Sequence, residues 1–167
     1  MRSLAMVISL SSILAPAGAH AQEIPTDAQV RLEMVLRFKN GSYQLEERLT
    51  SNDSRSFVLR RSELPWGEGR SLHLDTFIPD SGGAKLAGTP LGPPARDTVR
   101  LEAGGSLSGQ LNLGKHFAGL EKMVPLHPLV IHWAYQFRAA EPAVAGPWQA
   151  GSFVIPRGGL ADGAALP

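Results

Sequence analysis

Histidines are the residues best suited to chemistry in this chain, and four of them follow residue 21: His73, His116, His127 and His132. A zinc site readable from sequence places two histidines at H-x-H or H-E-x-x-H spacing. Here His127 and His132 are five apart across Pro128, and the other two are isolated. The expectation is scattered surface histidines, with no metal and no cofactor. Cysteine is absent, which removes thiol nucleophiles and thiolate metal ligands. Ser106 and Ser108 stand among Gly104, Gly105 and Gly109 but do not form G-x-S-x-G. Glu46 and Glu47 are neighbours, and neighbours on a strand face opposite ways, so they share no site. The glycine pairs at 82–83 and 104–105 lack the lysine and following helix of a phosphate loop. Catalysis is therefore not the expected activity. A small periplasmic hydrolase or metal-handling protein using these histidines is the alternative.

Binding residues are sought in the stretch RRSELPWGEG at 60–69. Tryptophan and arginine combine large contact area with directed polar contact and are over-represented at binding hot spots. Trp66 sits here between Pro65 and Gly67, with Arg60, Arg61, Glu63 and Arg70 around it. Large aromatics are also usually well buried. The expectation is that Leu64 and Trp66 fold back over an open end of the core. The candidate binding residues are Arg60, Arg61, Trp66 and Arg70, with the arginines the better contacts.

The elements that must position these residues read as strands. Val30, Leu32, Met34, Leu36 and Phe38 alternate with mostly polar residues, the pattern of a half-buried strand. Asn40-Gly41 follows, a hairpin signal, and Tyr43, Leu45 and Leu49 alternate on the return. Further strands are predicted at 57–61, 72–78, 98–102, 106–113, 129–137 and 152–155. In the 129–137 segment Leu129, Ile131, Trp133, Tyr135 and Phe137 share one face, which predicts a core face. His73 and His132 fall out of phase with their apolar neighbours and are predicted to face outward. Residues 82–97 hold three prolines and four glycines and read as a long loop. Residues 114–123 read as a short helix or irregular crossover, and 139–147 as a second loop. Eight short strands with turns between them predict an all-β fold, an antiparallel immunoglobulin-like β-sandwich of about 7–8 strands.

The segments LTSNDSRSFVLRR, LEAGGSLSGQLNL and LVIHWAYQF carry a family likeness. In that order the chain resembles an immunoglobulin-like accessory domain of secreted bacterial proteins, from residue 30 to residue 155. The resemblance implies a sandwich whose late core strand is the third segment. The cysteine pair and intervening tryptophan that mark antibody domains are absent, and sandwich geometry fixes no activity.

The N-terminus predicts export. Arg2, an apolar run at 4–14 and Ala19-His20-Ala21 form a signal peptide over 1–21, with maturation at Gln22. The run is too short to span a bilayer, and no integral membrane segment is expected after cleavage. The domains read as 1–21 signal peptide, 22–157 β-sandwich and 158–167 a flexible Gly/Ala-rich tail. Without Arg2 the basic residues equal the 15 acidic ones. That balance argues against a nucleic-acid partner, which needs a clustered basic face. The expected function is a periplasmic or secreted protein that binds another protein, as inhibitor, immunity factor or accessory subunit. An edge-strand chaperone or assembly subunit is the third alternative.

Overall fold

The computed structural model describes residues 28–67, 71–88 and 96–167. The expected signal peptide, Arg70 and the 89–95 part of the expected loop lie outside the described residues. The fold is mostly antiparallel β, in three sheets.

The first hairpin forms where alternation and turn chemistry agree. β1 (Val30–Lys39) pairs in full register with β2 (Ser42–Ser51). Asn40 and Gly41 make the turn at φ 52° and 75°, left-handed values that asparagine and glycine tolerate best. β6 (Ser106–Asn112) adds to the other side of β2, and β9 (Ala165–Leu166) to β1. The result is a four-stranded sheet in the order β6-β2-β1-β9. β3 (Phe57–Arg60) and β5 (Thr98–Leu101) make a two-stranded sheet. β4 (Leu72–Phe77), β7 (Leu129–Ala139) and β8 (Val144–Ile155) make a three-stranded sheet with β7 in the middle. Two four-residue helices, α1 (Leu113–His116) and α2 (Leu120–Met123), fill the crossover from β6 to β7. The Asn112 side chain caps α1, accepting the Lys115 N–H at 3.0 Å.

Inward-facing residues of all three sheets and both helices meet in one core. Phe57 of β3 and Phe137 of β7 pack edge to face there, centroids 5.2 Å apart. Such a pair contributes about 0.5–1.5 kcal/mol beyond its area burial.

Three expectations need correction. The 139–147 loop is short, because β8 already begins at Val144. The ladder shifts register opposite Gln136–Arg138, and Gly146-Pro147 sits in that irregularity. Proline supplies no N–H, so a bulge is where a strand admits it. The tail at 158–167 is anchored: Ala165 and Leu166 pair with Arg37 and Leu36, and the Tyr43 hydroxyl accepts the Leu160 N–H at 3.2 Å. Trp133 is half-buried while Leu129, Ile131, Tyr135 and Phe137 are fully buried. Its indole lies against Gly151, its cross-strand partner on β8, at the margin of that face.

Candidate interaction surface

Strand alternation gives the β4-β7-β8 sheet two unlike faces. One packs on the core through Leu72, Thr76, Ile131, Tyr135, Phe153 and Ile155. The other is covered by no strand or helix of the described residues, and its rows follow from register. Phe77, Val130 and Val154 lie abreast across the three strands. Next come Asp75, His132 and Ser152, then His73, Ala134 and Ala150. Trp148 extends the β8 side.

Large apolar groups stand in solvent on this face. Trp148 and Val154 are each 56% exposed and Phe77 39%. They are braced: the Phe77 ring packs over Gly83, and the Trp148 indole tilts against the His73 ring with centroids 5.9 Å apart. Between the rows His73, Asp75, His132 and Ala134 help line a shallow hollow of about 310 Å³. Phe77, Val130 and Val154 form an apolar row at one end of the face and Trp148 stands at the other, six residues along β8, with the polar row Asp75, His132 and Ser152 between them. Large exposed apolar groups rimmed by polar ones mark an interaction site.

The outer face of the four-stranded sheet is polar by contrast. Glu33, Glu46, Arg48, Ser108 and Gln110 line an open concavity of about 750 Å³ there. Its charges alternate along and across strands, with Arg37 bonded to Glu46 at 2.8 Å and Arg31 at 3.6 Å from Glu33. Such pairs keep a sheet face solvated and contribute little to stability.

Of the candidate residues of the 60–70 stretch, Arg60, Arg61 and Trp66 are among the described residues. Arg60 is exposed at the end of β3. Arg61 opens a 3-10 turn at Arg61–Glu63, and its Nε is 2.8 Å from Oδ2 of Asp97. Trp66 is half-buried and turned inward, its indole occupying the place a side chain at Gly109 of β6 would take. The histidines separate as well. His127 Nδ1 lies 2.8 Å from Oδ1 of Asp80, whose Oδ2 accepts from Arg157 at 2.6 Å. Those bonds, Arg157's first, hold the Asp80 carboxyl below its ordinary range. His116 is half-buried against Phe117, and desolvation lowers its pKa.

The row Asp75, His132, Ser152 brings together the three residue types of a hydrolytic triad. Asp75 is bonded instead to Lys85 at 3.0 Å, and no hydrogen bond links His132 to Asp75 or Ser152 among the described residues. A triad needs both links. Among the described residues no three or more His, Asp or Glu side chains are grouped to hold a metal.

Sequence reasoning missed Trp148, Val154 and Phe77 as a set. Phe77 was legible from the phase of Leu72, Leu74 and Thr76. Trp148 and Val154 share the phase opposite to Phe153 and Ile155, but Gln149 and Gly151 on the inner phase hide the alternation. Among the described residues no helix is long and apolar enough to cross a membrane. No family model and no curated protein matches the chain.

Proposed function

We propose that this chain is an exported immunoglobulin-like β-sandwich that acts by binding another protein. Its contact surface is the outer face of β4, β7 and β8. The observation that carries the reading is the exposure of Trp148, Val154 and Phe77 together on one braced sheet face. The signal-peptide pattern over 1–21 supports export. Aromatic anchors amid small and polar residues are the make-up of a protein-binding hot spot. Arg60 and Arg61 are second contact candidates, tested in the same assay.

Capture from an envelope extract by immobilised protein tests this. Replacing Trp148 and Phe77 by alanine weakens capture by about 2 kcal/mol, roughly 30-fold, while leaving the thermal melt near the parent's. Undiminished capture by that folded variant refutes the surface. Loss of capture on Arg60→Ala or Arg61→Ala instead moves it to the 60–70 stretch.

β6 supports a second reading, because among the described residues it pairs with β2 on one side only. An open edge admits a partner strand. Capture abolished by Ser108→Pro but not by Trp148→Ala would favour strand addition.

A further inference from the structure

β2 sends Tyr43, Leu45, Glu47, Leu49 and Ser51 to its inner face, and all five are buried. Glu47 is the anomaly. It is 2% exposed, and neither carboxyl oxygen has a hydrogen-bond partner. Register sets it between Met34 of β1 and Gly109 of β6. Gly109 has no side chain, and the Trp66 indole fills the vacant place.

Among the described residues, the groups around Glu47 offer it no counter-charge. The inner faces of β1 and β6 present Leu32, Met34 and Leu36, and Leu107 and Leu111. From β7 comes Tyr135, whose hydroxyl donates to the Glu63 carbonyl at 3.4 Å and feels the charges of Glu63 and Glu47. Burial and those two carboxylates push the Tyr135 phenol upward, so it stays neutral. No basic group is among these neighbours. Burial alone pushes the Glu47 carboxyl up to about 8.

An ionised carboxylate here must gain water or a donor, because an unpaired buried charge costs too much to keep. The neighbours differ in how readily they yield. β1 and β7 are each paired on both sides. Trp66 is half-exposed at the end of a turn whose Ser62, Leu64 and Pro65 are buried. That turn is tied by Arg61 to Asp97, by Ser71 to the Leu64 carbonyl and by Tyr135 to the Glu63 carbonyl, so the part free to yield is the Trp66 side chain itself.

We propose that Trp66 is a hinged cover over Glu47, closed while the carboxyl is protonated and lifted from Gly109 when it ionises. Opening places a carboxylate and an indole at one accessible spot beside Gly109 of β6. Local openings are drawn from the least stable parts of a fold, and rotation of one half-exposed side chain is the smallest of them.

The test uses the full chain with Trp133→Phe and Trp148→Phe, which leaves Trp66 as its sole tryptophan. Emission maximum and acrylamide quenching are followed from about pH 5 to about pH 10, with far-UV circular dichroism alongside. The expected result is a red shift and faster quenching with a midpoint above the ordinary carboxylate range and no higher than about pH 8, at constant sheet signal. Glu47→Gln removes the transition, and Glu47→Met serves if the glutamine variant does not accumulate. A transition that survives both substitutions overturns the proposal. So does a parent whose indole stays shielded throughout, or one whose sheet signal is lost at the same midpoint.

Discussion

Gln149 is bonded to Val30 across two strands that share no ladder. Its Nε2 donates to the Val30 carbonyl at 3.0 Å, and its Oε1 accepts the Leu32 N–H at 2.8 Å. One amide on β8 thus supplies both halves of a ladder step to β1. The Ala28 N–H adds a backbone bond to the Ala145 carbonyl at 3.2 Å. The seam joins the three-stranded sheet, which carries the exposed face, to the four-stranded one.

Gln149→Ala should therefore act on stability despite removing no core volume. It leaves a backbone donor and acceptor part-buried without partners, at a cost of roughly 2 kcal/mol. Gln149→Glu keeps the acceptor for Leu32 but loses the donor to Val30, and should be harmful at neutral pH. Urea midpoints of the three proteins check this, and an unchanged midpoint for Gln149→Ala would show that the seam contributes nothing.

Glu47 makes stability fall with rising pH. Its folded-state pKa is raised to about 8 from an ordinary 4.5. Between those values the unfolded chain has released the proton that the folded chain retains, so ionisation favours unfolding. The loss begins near pH 4.5, grows toward pH 8 and then levels off. Its full size is on the order of a few kcal/mol, since each tenfold change in proton affinity between the folded and unfolded chain corresponds to about 1.4 kcal/mol. Glu47→Gln should flatten the profile and gain on the parent as pH rises. Denaturant unfolding at several pH values measures it, and parallel profiles for the two proteins would contradict it.

Much of the architecture was legible where local signals agreed. The β1–β2 hairpin combined clean alternation with Asn40-Gly41, and both survive in the register. His73 and His132 face outward because phase on a strand decides the face. The rest depended on partners distant in sequence. Nothing local says that Leu160 meets Tyr43 or that residues 165–166 reach β1, and without those contacts a Gly/Ala-rich tail looks loose. The usual burial of large aromatics predicts that Trp66 turns toward the core. That the place it fills is at Gly109 of β6, and that Arg61 pairs with Asp97, depends on residues distant in sequence. Glu47 is in phase with Leu45 and Leu49. Its burial was legible from alternation, whereas the lack of any donor for it emerges only from three-dimensional packing.

On the proposed function, the outer face of β4, β7 and β8 is where a partner protein should dock. The most direct measurement places a photoreactive phenylalanine analogue at position 148, 77 or 154, and at 48 or 110 on the polar sheet face as controls. Irradiation in intact cells should yield one discrete adduct from positions 148, 77 and 154, and none from 48 or 110. Adducts from 48 or 110, or none from 148, would contradict the assignment of this face.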